Sequence, residues 1–309
     1  MKLDKLLPFL KCPYCCNINL ISEKDFLLCS ECKTNFSVIE GVPVLIKEEN
    51  FSEQENKQKA WYEEHYSKFS REEYQLENWR LSMIERIFSA VKNSAIKTYL
   101  DIGCGATGYT AIEGAKRNKW LSFGADISTE AILRAKNLAK KQGVEDLTGF
   151  VVCSAESLPF KDATFDFVSA ISLLEHLEND EKVIKEVFGI LKKKGSFYVC
   201  LPNTYRRMWP FLWPIYLYFD IQVGHKRHYS IEELSNKMAK NDFKLKDFFY
   251  NAHLKKLLQI ILDKFRLLGE KNWWQIEKQD IGKNPMGIQL NAIFTKQIIN
   301  ERYNRQALS

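Results

Sequence analysis

The sequence from residue 98 reads Thr98-Tyr-Leu-Asp-Ile-Gly-Cys-Gly-Ala-Thr-Gly108, and this stretch decides the fold. Tyr99, Leu100 and Ile102 suit a buried strand, and three closely spaced glycines follow them. Glycine has no Cβ atom, so the backbone there can turn sharply and approach a ligand. A helix that begins near Gly108 would direct its free N–H groups at the loop. The stretch therefore predicts a strand, a ligand-binding turn and a helix.

A second short strand, Phe123-Gly-Ala-Asp126, ends on an acidic residue 23 positions after Gly103. A carboxylate at that place can accept hydrogen bonds from ribose hydroxyls. Many nucleotide-binding folds share a glycine-rich strand–turn–helix unit, so these features alone leave the nucleotide open.

The position of Asp101, in the pattern Asp101-x-Gly-x-Gly105, narrows the choice of nucleotide. With the downstream segments, the stretch resembles motif I of the class I S-adenosylmethionine (SAM)-dependent methyltransferases. The family usually spaces its glycines as G-x-G-x-G, whereas here Thr107 holds the third place and Gly108 follows. We expect a loop one residue longer. The residues that the resemblance assigns to SAM are Asp101, Gly103 and Gly105 for the methionine part, Asp126 for the ribose, and Ile127 against the adenine.

The segment Cys153-Ser-Ala-Glu-Ser-Leu-Pro-Phe160 follows the third predicted strand. Similar methyltransferases often have Asp-Ala-Glu-x-Leu-Pro-Phe here, with the Asp bonding the adenine amino group. This chain has Ser154 at the Asp position. The resemblance then implies that Ser154, the backbone of Ala155, or Glu156 contacts the adenine instead.

Three histidines are the candidate catalytic residues, His176, His225 and His228. Glu175 and His176 follow the fourth predicted strand, and ligands of open α/β sheets bind outside such strand ends. The pair resembles the Glu-His of O-methyltransferases in quinone biosynthesis, so His176 is a candidate general base. Related RNA 3′-end methyltransferases bind a catalytic metal with E-x-x-E-H, but Ser172 replaces the first Glu here. The alternative is that Glu175 and His176 only cap the strand and the next helix.

Two further segments contain residues that we expect to contact the substrate. Asn203 ends the fifth predicted strand in Leu201-Pro-Asn203, which resembles the same enzymes and would face the substrate. Gly224-His-Lys-Arg-His-Tyr-Ser230 lies just before a predicted helix, and its His225, Arg227 and His228 suit an anionic or phenolic group. An ordinary surface loop is the alternative.

From residue 97 onward, strand and helix patterns alternate, which predicts a Rossmann-like, seven-stranded, doubly wound α/β sheet. Predicted helices cover 76–91, 128–141 and 180–193, and Ser230-Ile-Glu-Glu233 has the capping-box pattern of another helix start. The later predicted strands cover 148–153, 165–171, 195–201, 246–250 and 286–295.

Two C-x2-C pairs stand near the N-terminus with 13 residues between them. Each pair can supply two thiolates from one turn, and four thiolates complete a closed tetrahedral Zn²⁺ site. The predicted ligands are Cys12, Cys15, Cys29 and Cys32, with Cys16 as a substitute for Cys15. The segment, including Gly41-Val-Pro-Val-Leu-Ile46, resembles the zinc-ribbon module of small activator proteins of tRNA methyltransferases, which implies structural zinc.

The predicted organisation is a zinc-ribbon-like domain over 1–50, a helical linker or cap over 51–96, and a methyltransferase domain over 97–309. The last carries an aromatic insertion at about 204–229. Net charge is +6, a mild value that does not require nucleic acid. No apolar run reaches the ~20 residues of a spanning helix. With no signal peptide pattern, eight cysteines favour thiols and metal, so we expect a cytoplasmic protein.

Two segments suggest a peripheral place at a membrane surface. Seven of the fifteen residues from Tyr205 to Phe219 are aromatic, and Trp and Tyr favour the lipid interface. The stretch from Leu254 to Leu268 has an apolar helical face and a mostly basic opposite face. The alternative is that the two segments pack on each other as a lid.

The expected function is SAM-dependent methyl transfer to a small apolar or lipid-like molecule, such as a quinone precursor. One alternative is an rRNA or tRNA methyltransferase whose zinc ribbon grips RNA, although no basic run with interleaved aromatic residues supports it. Another is a non-catalytic SAM-fold protein that binds a partner. The intact Asp101, glycines and Asp126 argue against the last.

Overall fold

The computed structural model describes residues 1–46, 51, 53–67, 78–91, 95–204, 213, 214, 217, 224–253 and 281–297. The segments predicted to meet a membrane, 205–219 and 254–268, lie outside the described residues, apart from Trp213, Pro214 and Leu217. Within the described part of the chain, no helix is long and apolar enough to cross a membrane.

The N-terminal module contains a short helix, a 3₁₀ turn over Leu7–Phe9 and a four-stranded antiparallel sheet in the order β1-β2-β3-β4. The elements are α1 (Leu3–Leu6), β1 (Leu20–Ser22), β2 (Phe26–Cys29), β3 (Asn35–Ile39) and β4 (Val42–Pro43). Strands β1 and β2 form an antiparallel hairpin between the two cysteine pairs.

Two helices, α2 (Glu53–Ser67) and α3 (Asn78–Ala90), lead into the large sheet. Its strands are β5 (Thr98–Ile102), β6 (Leu121–Asp126), β7 (Thr148–Val152), β8 (Phe165–Ile171), β9 (Leu191–Pro202), β10 (Phe243–Asn251), β11 (Ile281–Gly282) and β12 (Gln289–Lys296). The helices between them are α4 (Tyr109–Asn118), α5 (Thr129–Lys141), α6 (Asp180–Ile190) and α7 (Ile231–Ala239).

The large sheet has the order β11-β10-β12-β9-β8-β5-β6-β7. Strands β5 to β9 run parallel, and β12 lies antiparallel between β9 and β10. All seven predicted strands are present. The sheet is eight-stranded and mixed, because the two-residue β11 adds an edge that is too short to leave a periodic signal in the sequence.

One boundary was predicted wrongly. The helix expected to reach residue 193 ends at Ile190, and β9 begins at Leu191, which is extended and pairs with Phe165. The register shifts after Phe165, and Lys194 has a φ of 63°. Lys192 also binds Asp166, with its Nζ 3.0 Å from Oδ1. Pairing with β8 therefore outweighs the helical pattern of the lysine run.

Alternate residues of the strands face two layers. On one face, Tyr99 and Phe167 pack with Ile87 of α3, while Phe150 packs with residues of α4 and α5. On the other face, Leu100 and Phe123 share a cluster with residues of α6 and α7. The doubly wound arrangement is thus confirmed, and β5 and β6 are covered on both sides.

The N-terminal module shares this second face. Leu6, Leu10 and Phe36 belong to the same buried cluster as Phe123 and Phe165. Backbone bridges join Leu10 to Phe160 and Val44 to Val152 at the end of β7. The domain boundary at residue 50 stays a prediction, but the module has no separate core.

Phe160 lies where the module meets the sheet, so its truncation tests that packing. The side chain is fully buried, with ring centroids 6.1 Å from Phe123 and 5.1 Å from Phe165. We expect Phe160→Ala to lower the free energy of unfolding by about 3–5 kcal/mol in urea titrations, because a large cavity would remain. Ile18→Ala, at a side chain 56% exposed, should change it by less than about 0.5 kcal/mol. Equal effects of the two changes would contradict this packing.

Candidate functional site

The predicted glycine turn is confirmed between β5 and α4. Gly103, Gly105 and Gly108 all have positive φ, at 71°, 60° and 51°. The N–H groups of Gly103 and Cys104 donate to the carbonyl of Ala125 at 2.8 and 3.1 Å. A Cβ atom on Gly105 would stand 3.2 Å from the Tyr66 hydroxyl. The turn therefore needs glycine both for its conformation and for its close neighbours.

Asp126 connects this turn with the next one. Its Oδ2 accepts a hydrogen bond from the N–H of Gly105 at 2.9 Å, and its Oδ1 accepts one from Ser128 at 3.0 Å. Burial raises the pKa of this carboxyl, backbone N–H groups oppose that rise, and Glu63 adds to it. A carboxylate has about four acceptor positions, so Asp126 retains capacity for ribose hydroxyls.

Asp101 is buried beneath the turn, with 4% of its surface exposed. Its Oδ1 accepts a hydrogen bond from Ser169 at 2.5 Å, and its Oδ2 accepts one from Thr110. Burial raises the pKa of Asp101 to about 6 against the lowering effect of these hydroxyls. The carboxyl thus ties β5 to β8 and α4, a role that sequence reasoning missed because its partners are 9 and 68 positions away.

Helix α2 reaches the same site. Glu63 caps the start of α5: its carboxylate accepts hydrogen bonds from the Ser128 hydroxyl at 3.0 Å and from the N–H groups of Thr129 and Glu130 at 2.7 and 3.0 Å. Tyr66 of the same helix places its hydroxyl over Gly105. The sequence left open whether the leading helices cover the site, and α2 does lie against it.

The residues expected near adenine follow β6 and β7, at the carboxyl ends of two neighbouring parallel strands. Ile127 is half-buried after β6, and Ser154 is buried after β7. The Ser154 hydroxyl accepts a hydrogen bond from the N–H of Glu156 at 3.2 Å, which holds Ala155 in the turn. Glu156 Oε1 accepts a hydrogen bond from the N–H of Asn179 at 3.2 Å, so this side chain links to the loop after β8.

A second cluster joins the loops after β8 and before α7. One ligand-type atom from each of Glu175, His176 and His225 lies within 4.8 Å of the others. The ring centroids of His176 and His225 are 5.0 Å apart, and those of His225 and His228 are 6.0 Å apart. The N–H of Lys226 donates to the Glu175 carbonyl at 2.9 Å. The structure therefore brings the three candidate histidines together.

Burial shifts the pKa values of two of these groups. It raises the pKa of Glu175 to about 8. It lowers the pKa of His176 to about 4, with the nearby His225 adding to the effect. His176 is therefore neutral at pH 7, which allows it to accept a proton, but a pKa near 4 is below the optimum for a general base at that pH.

A network around Asp180 holds the histidine loop. Arg227 Nη1 lies 3.0 Å from Asp180 Oδ1, and its Nη2 donates to the carbonyl of Glu178 at 3.0 Å. The Tyr229 hydroxyl donates to Asp180 Oδ2 at 2.6 Å, and Lys237 binds the same oxygen. Arg227 was expected to meet an anionic or phenolic group. Within the described residues its partners are protein groups, so it anchors the loop.

Asn203 was expected to face the substrate, and this prediction is wrong. The residue is fully buried, and its Nδ2 donates to the carbonyls of Pro285 and Gly287, both at 2.7 Å. Its Oδ1 accepts a hydrogen bond from Thr204 at 2.9 Å. Asn203 therefore fixes the turn before β12.

The four predicted cysteine ligands meet in the N-terminal module. Their sulfur atoms lie within 4.8 Å of one another, with 3.7 Å from Cys12 to Cys32 and 3.5 Å from Cys15 to Cys29. For a Zn–S distance of about 2.3 Å, a tetrahedron places sulfur atoms roughly 3.8 Å apart. The set therefore fits a zinc ion.

The two cysteine pairs have matching backbones. The N–H of Cys16 donates to the Cys12 carbonyl at 3.0 Å, and the N–H of Lys33 donates to the Cys29 carbonyl at 3.1 Å. Cys16 and Lys33 have φ of 59° and 57°. The repeated turn shows why Cys15, and not Cys16, joins the cluster: Cys16 occupies the left-handed position of its turn, as Lys33 does in the other.

Comparisons with known proteins agree with the fold. Residues 100–199 match the model of a family described as "Methyltransferase domain". Norajmaline N-methyltransferase of Rauvolfia serpentina is 38% identical over 114 residues, which is 37% of this chain and 38% of the relative. The ubiquinone/menaquinone biosynthesis C-methyltransferase of Bartonella quintana is 29% identical over 53% of this chain and 66% of its own. The chain thus spans less than two thirds of these relatives.

Among solved structures, geranyl diphosphate C-methyltransferase from Streptomyces coelicolor A3(2) covers 80% of this chain and 99% of its own length. The TM-score is 0.58 at 12% identity, so the likeness concerns the fold alone. Together with the sheet order, it shows the α/β fold of class I methyltransferases. The sequence matches support a methyltransferase domain.

Proposed function

We propose that this protein is a SAM-dependent methyltransferase that acts on a small apolar or lipid-like molecule. The observation that carries the proposal is the turn of Gly103, Gly105 and Gly108, closed by the hydrogen bond from Gly105 to Asp126. This turn leaves backbone close to any bound ligand at the carboxyl ends of the strands. Asp126 would hold the ribose, and Ile127, Ser154, Ala155 and Glu156 would surround the adenine.

The charges around the turn suit this cofactor. SAM carries a cationic sulfonium and an ammonium group. Asp126 binds the turn from the end of β6, Glu63 of α2 caps the neighbouring helix α5, and Asp101 lies beneath the turn. An acidic site favours a cationic ligand. Since the methyl group of SAM is already activated, the protein needs mainly to align the acceptor with the S–CH₃ bond and to manage its proton.

The names of the relatives support the proposed substrate class. Those matched by sequence are named for alkaloids and for ubiquinone/menaquinone biosynthesis, and the structural neighbour for geranyl diphosphate. A quinone precursor or lipid is our proposal for this chain. His176, His225 and His228 would face the acceptor, with His176 as base or orienting group. Association with a membrane surface stays a prediction, supported in the described residues by exposed Trp213 and Leu217.

We also propose that Cys12, Cys15, Cys29 and Cys32 bind one structural Zn²⁺. Burial raises the pKa of Cys12 to about 12, and a bound cation would compensate the buried thiolate charge. Four protein ligands leave no open position for a substrate. The metal would therefore contribute folding energy to a module of few buried side chains.

Asp126→Ala tests the cofactor assignment. We expect it to weaken SAM binding by about 1–3 kcal/mol in calorimetry, because hydrogen bonds to a charged group are lost. Asp146→Ala serves as the matched control, since the Asp146 side chain is 79% exposed on another loop. Normal SAM affinity in Asp126→Ala, or no SAM binding by the unmodified protein, would rule out the assignment.

Cys29→Ser tests the metal. Protein made with zinc supplied should carry zinc at the cysteine site, and the substitution should release it and increase protease cleavage in the N-terminal module, because a three-ligand site binds more weakly. The matched control is Cys16→Ser, at an exposed thiol outside the cluster. Zinc-free wild-type protein, or equal loss in both variants, would contradict the proposal.

His176→Ala tests the catalytic cluster. Turnover should fall by about 10²–10⁴-fold if the imidazole moves or orients a proton in the transition state, while SAM affinity stays unchanged. The control is His253→Gln, at the histidine whose Nε2 contacts the Asn284 carbonyl. If His176→Ala turns over substrate at the normal rate, the residue serves only to cap the strand end.

A further inference from the structure

The cluster of Glu175, His176 and His225 has the composition of a metal site. It draws on two loops that are about fifty residues apart in sequence and that converge at the end of β8. One potential ligand atom from each residue lies within 4.8 Å of the other two. A cation about 2.0–2.2 Å from each ligand needs ligand atoms no more than about 4.4 Å apart, so at most a small side-chain movement would close the site.

Glu175 provides an independent observation. Its side chain is only 1% exposed, and its Oε2 has no hydrogen-bond partner among the residues that the structure describes. Burying a polar group without a partner is costly, and buried carboxyl groups in folded proteins are usually hydrogen-bonded, paired or bound to a metal. Within the described residues, no Lys or Arg is paired with this carboxylate. A cation between Glu175 and the two imidazoles would provide the missing partner.

The ligand set indicates the type of ion. Two imidazoles and one carboxylate are typical of non-haem iron sites and of catalytic zinc sites with an open position. A set of nitrogen and oxygen ligands differs from the four thiolates of the N-terminal module, which favour zinc in a closed site. The two sites would therefore differ in both selectivity and accessibility.

We propose that Glu175, His176 and His225 bind one divalent first-row transition-metal cation, whose open coordination positions receive an oxygen-bearing group of the substrate. Metal binding itself does not depend on methyl transfer, but the substrate role rests on the function proposed above. Under this proposal a ring nitrogen of His176 uses its lone pair on the cation. The cation, rather than His176, would then stabilise the deprotonated oxygen of the methyl acceptor.

The surrounding network is suited to hold such a site. Asp180 binds Arg227 at 3.0 Å and Tyr229 at 2.6 Å, and both residues follow His225 closely in the same loop. The hydrogen bond from Lys226 to the Glu175 carbonyl fixes the two loops directly against each other. The loop positions are thus set by groups other than the three ligands, so the ligands stay close without a cation.

Mn²⁺ is the probe of choice, because thiolate sites favour softer ions than Mn²⁺. The full chain, with zinc kept at the cysteines, is titrated with Mn²⁺ and followed by electron paramagnetic resonance. We expect one Mn²⁺ per chain, and a loss of affinity of at least about 100-fold in Glu175→Gln and in His225→Gln, since even supporting groups of metal sites contribute 10–100-fold. Co²⁺ bound at this site should lack the thiolate charge-transfer absorption expected of the cysteine site.

Two matched controls keep the experiment decisive. Glu113→Gln changes another buried carboxylate, at 2% exposure on α4, and His253→Gln changes a histidine outside the cluster; both should bind Mn²⁺ normally. Calorimetry with SAM on the same samples reports the cofactor site separately.

Wild-type protein that binds neither Mn²⁺ nor Co²⁺ beyond the cysteines, or unchanged affinity in Glu175→Gln and His225→Gln, overturns the metal site. Failure of SAM binding with Mn²⁺ binding intact would instead overturn the proposed function.

Discussion

The hydrogen bond from the N–H of Gly105 to the carboxylate of Asp126 is the contact on which the candidate site depends. It joins the turn after β5 to the end of β6 at 2.9 Å. The same carboxylate also accepts the N–H of Ser128, just before α5. One side chain thus fixes two loops and the start of a helix. Any ligand held by these loops meets a preformed surface, so less ordering is needed on binding.

That surface is supported from beneath by Asp101. Its two oxygens accept hydroxyl hydrogen bonds from Thr110 of α4 and Ser169 of β8. A buried carboxyl with both oxygens bonded is tolerated, whereas one without partners would be costly. Glu175, in the loop after β8, presents the opposite case, because its Oε2 lacks a partner within the described part of the chain. One acid beside the glycine turn is therefore satisfied, and one acid in the histidine cluster is not.

The sequence was sufficient where the signal is local. The turn glycines, the spacing of the cysteine pairs and the capping box of Ser230 and Glu233 all lie within a few residues, and the structure has the corresponding turns and cap. The sequence was insufficient where a hydrogen-bond partner is distant along the chain. The amide of Asn203 binds carbonyls more than eighty positions away, and Glu63 caps a helix that begins 66 positions later. Neither contact leaves a periodic or compositional pattern in the chain.

The position of the N-terminal module links the cysteine cluster to the loop that follows β7. The Ser157 hydroxyl donates to the carbonyl of Pro13, which lies between Cys12 and Cys15, at 3.0 Å. The N–H of Lys11 donates to the Pro159 carbonyl at 2.9 Å. These contacts hold the loop that begins at Ser154, one of the residues expected beside the adenine. A metal that fixes the first cysteine turn would therefore also fix this loop, because the two segments share backbone hydrogen bonds and a continuous core.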